Sequence, residues 1–169
     1  MDTVNDVVIW AWARHHNILS WYIRPLFLIP FCYFAYRRSG KGIVGTLIAL
    51  ATSMFWFPAP AQPDPQVIAF LHAERAYLVS PWTPQKLVLS LVVPGFFLLL
   101  GLAFWRRSWW YGLGIINAMI GAKFIWGMVF AGDTWYAILP PALLGMAVCN
   151  VAVLGLRWRS SARPLTPQR

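Results

Sequence analysis

The sequence predicts an all-α integral membrane bundle of about five transmembrane helices, with a short interfacial amphipathic helix on its outer side. Hydrophobic residues make up 59% of the 169 residues, charged residues make up 11%, and the mean hydropathy is +0.58. Such a chain is too apolar to build both a core and a surface in water, so lipid must be its main solvent. Basic residues also end the apolar runs, which is typical of segments that stop at a membrane surface.

The first two predicted spans follow a polar N-terminal lead-in. Residues 1–17 are too short and too polar to cross a bilayer and predict an interfacial segment. Residues 18–36 predict the first span, in which Pro25 and Pro30 predict a kink because proline lacks a backbone donor. Residues 42–58 predict the second span. Its small residues recur at helical spacing and would let another helix approach closely: Gly42, Gly45, Thr46, Ala49, Thr52 and Ser53.

The interfacial helix is predicted over residues 66–80, a segment that is too short and too charged to span. Its apolar residues fall within an arc of about 120° on a helical wheel: Val67, Phe70, Leu71, Tyr77 and Leu78. Three more spans are predicted over residues 86–105, 109–131 and 135–156, with Pro94 and Gly95 kinking the first of these and Pro140 and Pro141 interrupting the start of the last. One transmembrane domain over residues 1–158 results, followed by a disordered basic cytoplasmic tail over residues 159–169.

The distribution of charge predicts the orientation of the chain. Basic residues beside the span ends collect on one side: Arg37, Arg38, Lys41, Arg106, Arg107, Arg157 and Arg159, with Arg163 and Arg169 in the tail. That side is cytoplasmic by the positive-inside rule. The five carboxylates all fall on the other side: Asp2, Asp6, Asp64, Glu74 and Asp133. We predict a protein of the inner or plasma membrane with its N-terminus outside and its C-terminus in the cytoplasm.

The sequence lacks the residue patterns that several functional classes require. The net charge of +9 lies at span ends and not on a polar face, so nucleic acid is not an expected partner. Cys32 and Cys149 lie inside apolar runs and predict packing residues. The three histidines do not have the spacing of a metal or haem site, so no metal or cofactor is expected. Hydrolase and protease motifs are also missing, so catalytic residues stay unknown.

Two full charges interrupt the predicted spans, Arg24 and Lys123, each roughly 9 to 12 Å below the outer boundary by helical rise. An ionised group at that depth is a functional candidate, although snorkelling or pairing within the bundle is the competing interpretation. Glu74 falls at the centre of the apolar arc of the interfacial helix, where an unpaired carboxylate would be unfavourable. We predict a charge pair or triad of Glu74 with Arg24 or Lys123. Two alternatives for Glu74 remain open: a local ion pair with Arg75, or a solvated position at the rim.

Two further residues complete the predicted ligand site. Most of the eleven tryptophans lie at span boundaries, as in an aromatic belt, but Trp126 lies well inside the fourth span. It could form an aromatic wall or a cation-π contact with Lys123, or pack in the core. Asn117 and Asn150 are intramembrane amides that predict an interhelical hydrogen bond, with a substrate contact as the alternative for Asn117.

The many tryptophans, the five predicted helices and the turn Pro81-Trp82-Thr83-Pro84 resemble the tryptophan-rich sensory or translocator protein family. The resemblance implies a helical membrane protein of a family whose members bind porphyrins and sterols. In that family the corresponding segment leads into the second helix, whereas here it precedes the third predicted span. We therefore transfer no binding residues.

Three functions fit these observations. The first is binding or translocation of an anionic amphiphile or lipid headgroup in an outward-facing cationic pocket, because cations in a partly apolar cleft favour that ligand class. The second is a structural or assembly subunit that docks on another membrane protein or self-associates. The third is a membrane-embedded enzyme at the outer interface with His72 or Glu74 as base. Membrane lipids are expected partners in each case.

Overall fold

The helices follow one another with short connections throughout the chain. The computed structural model describes the backbone of residues 3–161 and the side chains of residues 6–158, and this part of the chain contains helices and no strands. The elements are α1 Thr3–His15, α2 Ile18–Ile23, a 3₁₀ turn Arg24–Phe27, α3 Leu28–Tyr36, α4 Gly40–Thr52, a 3₁₀ turn Ser53–Phe55, α5 Pro65–Val79, α6 Pro84–Trp105, α7 Trp109–Phe130, a 3₁₀ segment Gly132–Ile138 and α8 Leu139–Ser161.

Four helical segments of the described chain are long and apolar enough to cross a membrane: Ile18–Tyr36, Pro84–Trp105, Trp109–Phe130 and Gly132–Trp158. They correspond to four of the predicted spans and are consistent with a multi-pass membrane protein. The remaining predicted span, over residues 42–58, corresponds to the shorter apolar segment Gly40–Phe55. Helix α8 continues to Ser161, and residues 162–169 of the predicted tail lie outside the described part.

Local sequence signals explain where the helices begin. The side chains of Ser39, Asp64 and Thr83 cap α4, α5 and α6 by accepting hydrogen bonds from backbone N–H groups of the first turn. Pro65 and Pro84 follow two of these caps at the first helical position, where the missing N–H has no intrahelical partner in any case. The helix predicted over residues 66–80 corresponds to α5, which spans Pro65–Val79.

The prolines inside the spans act differently from one another. Pro25 lies in the 3₁₀ turn that separates α2 from α3, so the first span is broken where proline removes a hydrogen bond. Helix α6, by contrast, continues through Pro94 as one helix. Pro140 and Pro141 occupy the first turn of α8 and lie directly after the 3₁₀ segment Gly132–Ile138, so the last span begins irregularly.

Two hairpins of the bundle, α3 to α4 and α6 to α7, turn at the same Arg-Arg-Ser sequence. The second arginine of each turn, Arg38 or Arg107, has a positive φ of 55° or 58°. In each turn the serine N–H donates to a carbonyl five residues back, at 2.9 Å for Ser39 and 2.8 Å for Ser108. These are Schellman closures, which satisfy the last carbonyls of α3 and α6.

The two Arg-Arg-Ser turns also contact each other. Arg38 Nε donates to the Trp105 carbonyl oxygen at 3.3 Å, and the Arg107 guanidinium lies 5.2 Å from the centre of the Tyr36 ring. Each turn thus reaches the residues that precede the other. We call the end of the bundle that carries these turns the arginine end, and the opposite end, where α1 and α5 lie, the capped end.

The matching turns belong to a longer internal repeat. Residues 25–55 align with residues 94–124 without a gap, and identical residues recur along the alignment: Pro25 and Pro94, Phe27 and Phe96, Arg37 and Arg106, Arg38 and Arg107, Ser39 and Ser108, Gly45 and Gly114, Ala49 and Ala118, and Phe55 and Phe124. Helix contacts follow the same pattern, because α3 packs on α4 as α6 packs on α7, and α3 and α6 pack on each other. The two halves are parallel repeats about an axis along the bundle.

Helix α8 stands outside the repeat and packs on one side of it. It contacts α7 and all parts of the first span, α2, the 3₁₀ turn and α3. A Cβ at Gly145 would overlap the Pro25 ring, and Cys149 Sγ donates to the Pro25 carbonyl oxygen at 3.2 Å. Cys32 and Cys149 are both free and buried. The larger apolar core therefore includes residues of α3, α6, α7 and α8.

Candidate functional site

Helix α1 lies across the capped end because polar side chains tie it to the segment that follows α4. Arg14 Nη1 donates to the carbonyl oxygens of Phe55 and Phe57, each at 3.1 Å. Asn17 Nδ2 donates to the Pro58 carbonyl oxygen at 2.9 Å. These carbonyls end a helical segment and have no further backbone donors in it, so the cationic and amide donors satisfy them. The last turn of α1, with His15, is held over the first span.

Helix α5 is fixed to the bundle at both its middle and its end. Phe70 packs edge-on against Trp21 of the first span at 5.4 Å between ring centres, within a second apolar cluster. At its end, Lys86 Nζ donates to the carbonyl oxygens of Tyr77 and Ser80 at 2.7 Å and of Leu78 at 2.9 Å. The ammonium group thereby caps α5, and α5 presents its inner face to the first span and to α7.

Three side chains from three elements form a connected polar chain at this end. Arg24 Nη2 donates to His15 Nδ1 at 2.9 Å. Because arginine can only donate, His15 Nδ1 must be the acceptor and the ring proton must lie on Nε2. That nitrogen faces Glu74 Oε2 at 3.7 Å. His15 is buried, and its carbonyl accepts a hydrogen bond from Trp21 Nε1 at 3.1 Å.

Lys123 of α7, whose side chain is exposed, adds a positive charge near this cluster without an ion pair to Glu74. Burial by itself would raise the pKa of the Glu74 carboxyl, but the His15 contact and the positive charges of Lys123 and Arg24 outweigh it, so the pKa is lowered from its ordinary value of 4.5. Glu74 is therefore ionised at neutral pH. Arg24 and Lys123 act on Glu74 through their positive charge, whereas the ion-pair contact of Glu74 within the described residues is with His15. The three formal charges of Arg24, Lys123 and Glu74 sum to +1.

The other two predicted ligand residues have partners of their own. Trp126 packs α7 onto α5, with its ring centre 5.5 Å from that of Tyr77 and 6.3 Å from that of Phe70. Asn117 Nδ2 donates to Asn150 Oδ1 at 3.0 Å, and Asn150 Nδ2 donates back to Asn117 Oδ1 at 3.2 Å. Each amide also donates to the carbonyl four residues before it, so all of its N–H groups are used.

Arg24 and Lys123 thus influence Glu74 electrostatically, but the predicted ion pair of Glu74 with either cation is not formed, and Glu74 faces His15 instead. Trp126 lies in the adjoining wall between α5 and α7. Asn117 lies about 9 Å from Lys123 along α7 by helical rise and binds Asn150 instead. Sequence reasoning missed His15, which it assigned to the polar lead-in. The only signal was its position beside Arg14 at the end of an apolar segment, and the partner on another helix could not be read from that.

Within the described part of the chain, no group of three or more His, Cys, Asp and Glu side chains is arranged to hold a metal ion. No protein-family model, curated protein or solved structure matches the chain. Functional assignment therefore depends on the cluster of Arg24, His15, Glu74 and Lys123 itself.

Proposed function

We propose that this protein binds an anionic amphiphile or lipid headgroup at the capped end of a five-span bundle, with that end on the outer side of the membrane. Helix α4 and its 3₁₀ turn form the fifth, short crossing, because the chain must return from the arginine end to reach α5. The basic residues collected at the arginine end support the orientation by the positive-inside rule.

One observation carries the proposal: two cations from different spans, Arg24 and Lys123, act electrostatically on a single carboxylate, Glu74, and neither forms an ion pair with it. A self-contained ion pair would balance its charge, whereas Arg24 and Lys123 exceed Glu74 by one unit. An uncompensated cation near the hydrocarbon boundary is unfavourable unless an anion or water reaches it. A phosphate or carboxylate group with an apolar tail satisfies both the charge and the surrounding aromatic wall.

The carboxylate has a defined part in this function. Glu74 lies 3.7 Å from His15 Nε2 and attracts both cations, so it helps to hold the arginine and lysine in place. An anionic ligand competes with it for the same cations. Removing the negative charge of Glu74 should therefore strengthen anion binding, in contrast to removing either cation.

The experiment is a titration of the detergent-purified protein with phosphatidylglycerol and with phosphatidylcholine, read by native mass spectrometry. Wild-type protein should prefer the anionic lipid. Arg24→Gln or Lys123→Gln should weaken that preference about tenfold, the effect of losing roughly 1.4 kcal/mol. Glu74→Gln should strengthen it.

The matched control is Arg75→Gln, which removes an exposed cation from the same helix as Glu74. It should leave the preference unchanged. An equal loss in Arg75→Gln and Arg24→Gln would show that only the general charge of the surface matters. Arg24→Gln with wild-type lipid preference and an intact thermal transition would refute the proposal.

A further inference from the structure

An open apolar cleft of about 580 Å³ lies between α4 and α6. Its walls come from Phe31 of α3, the first half of α4 and the second half of α6, and its lining is almost entirely apolar. The cleft holds neither the charged cluster nor the aromatic wall described above. It is therefore separate from the proposed anion site.

The internal repeat gives this cleft a counterpart. The larger core, which contains Ala142, Cys149 and Val153 of α8, also contains Leu28, Cys32, Leu100 and Ile116. Their equivalents in the alignment of the two repeats are Phe97, Gly101, Phe31 and Leu47 respectively, and all four of these line the cleft. The axis that relates the repeats thus carries the α8 groove onto the cleft.

Pro25 and Pro94, which are equivalent in the two repeats, relate the α8 site to the cleft in the same way. Pro25 contacts α8 at Gly145, and its equivalent, Pro94, lines the cleft. What differs between the two sites is the occupant: Ile116, under α8, has no exposed surface, whereas its equivalent Leu47 is 36% exposed. The chain supplies one helix for two equivalent grooves.

We propose that the cleft between α4 and α6 is a docking groove for a transmembrane helix of a partner membrane protein. That helix runs parallel to α6, as α8 runs parallel to the first span, and is apolar along the face that it buries. It carries glycine or another small residue opposite Pro94, because Gly145 is the residue that lets α8 approach Pro25. Close packing between helices stabilises such an association, since lipid tails offer no hydrophobic gain.

The partner is unidentified, so the probe is a synthetic peptide with the sequence of this chain's own α8, residues 139–158. The full-length protein in lipid nanodiscs carries a photo-crosslinking side chain at Leu98, which lines the cleft and is 64% exposed. A second version carries it at Val151, which is 71% exposed on α8 at a similar depth. The peptide should crosslink at Leu98 and not at Val151.

Two variants test the shape of the groove. A peptide with Gly145→Leu should lose crosslinking about tenfold, because overpacking at one contact removes roughly 1.4 kcal/mol or more. In the protein, a Cβ at Gly101 would lie at ordinary contact distance, 3.6 Å, from the Phe31 ring. Gly101→Leu therefore keeps the fold, fills the cleft and should abolish crosslinking while the thermal transition stays intact.

Equal crosslinking at Leu98 and Val151, or equal crosslinking by the Gly145→Leu peptide, would overturn the proposal and leave the cleft to lipid chains. A crosslinked homodimer through Leu98 without peptide would also overturn it, because a second copy would then be the occupant. The Arg24→Gln variant should bind the peptide normally, so failure of the anion site and failure of the docking groove can be told apart.

Discussion

Lys86 illustrates how a single charge organises the capped end without an acidic partner among the described residues. Only 5% of its surface is exposed, and its ammonium group is surrounded by three backbone carbonyls and the rings of Tyr77 and Trp82. These carbonyls belong to the last turn of α5, which has no intrahelical donors left for them. Sequence reasoning counted Lys86 only as an outer charge, since the carbonyls it reaches are set by the turn at Pro81.

Lys86→Met should destabilise the protein by about 2 to 3 kcal/mol, because carbonyls that accepted charged hydrogen bonds are left without donors. Thermal unfolding in detergent measures the loss, and hydrogen exchange should show the last turn of α5 opening first. Lys41→Met, which changes an exposed lysine at the other end, is the control and should have little effect. Equal stability of the two variants would contradict the capping role.

Glu74 makes a second residue-scale prediction through its pKa. A carboxyl whose pKa is lowered in the folded protein adds stability above its ordinary pKa of 4.5, and that stability is lost as pH falls through the lowered value. Wild-type protein should therefore lose stability on acidification below pH 4.5 more steeply than Glu74→Gln. Thermal unfolding between pH 7 and pH 3 measures the difference, which isolates Glu74 from the other carboxylates.

At pH 7, Glu74→Gln should be less stable by about 1 to 2 kcal/mol, a reduced value because 34% of the side chain is exposed. Arg75→Gln serves as the control for removing a charge from α5. Parallel pH profiles of wild type and Glu74→Gln would mean that Glu74 has no stabilising contact with His15, Arg24 and Lys123.

At the scale of elements, helix packing is decided by where small residues face a neighbour. The predicted small-residue stripe of α4 is divided in the structure: Gly42 lies against the Phe34 ring, whereas Gly45 has open space around its Cβ position. Helix α8 shows the same contrast, with Gly145 against Pro25 and Gly155 open. Helical spacing alone could not separate glycines that pack against a neighbouring side chain from glycines with open space around them, because the sequence pattern is the same for both.

Gly145→Ala should therefore destabilise the protein by about 1 to 3 kcal/mol, because a Cβ would force α8 away from the first span. Gly155→Ala, on the same helix, is the matched control and should be neutral or stabilising by up to about 1 kcal/mol through higher helix propensity. Thermal unfolding of the two variants in one detergent makes the comparison. A reversal of the order would refute the close packing of α8 on Pro25.

The elements themselves were largely predictable. Residues 66–80 were predicted as a helix that lies over the bundle, and α5 spans Pro65–Val79. Pro25 was predicted to disturb the first span and lies in a 3₁₀ turn that separates two helices, whereas Pro94 lies inside one helix, α6, and its predicted kink stays a prediction. The neighbours of each proline decide between these outcomes, and neighbours are a tertiary property.

For the whole molecule, the orientation in the membrane remains a prediction that labelling can test. Gly40→Cys lies at the arginine end and Gln62→Cys at the capped end, both at exposed positions, while the native Cys32 and Cys149 are buried. A membrane-impermeant thiol reagent should label Gln62→Cys in intact cells and Gly40→Cys only after permeabilisation. The reverse pattern would place the anion cluster on the cytoplasmic side.

The internal repeat is the clearest whole-molecule feature that sequence reasoning passed over. Arg37-Arg38-Ser39 and Arg106-Arg107-Ser108 were recognised only as basic stops, although their serines and the prolines Pro25 and Pro94 align at the same spacing. The repeat became visible through shared turn geometry and reciprocal contacts. The repeat also relates the site occupied by α8 to the open cleft between α4 and α6. The pattern of a single segment cannot reveal that relation.

The sequence by itself determined that lipid is the main solvent of the chain, where its apolar segments lie and which of their ends are basic. Hydropathy and charge can be read locally along the chain. The sequence also singled out Arg24, Glu74 and Lys123 as charges in unfavourable positions. Only the tertiary structure inserted His15 between Arg24 and Glu74, paired Asn117 with Asn150, and left one of two equivalent grooves open. Apolar side chains suit lipid and protein neighbours alike, so hydropathy cannot tell which faces of the helices meet.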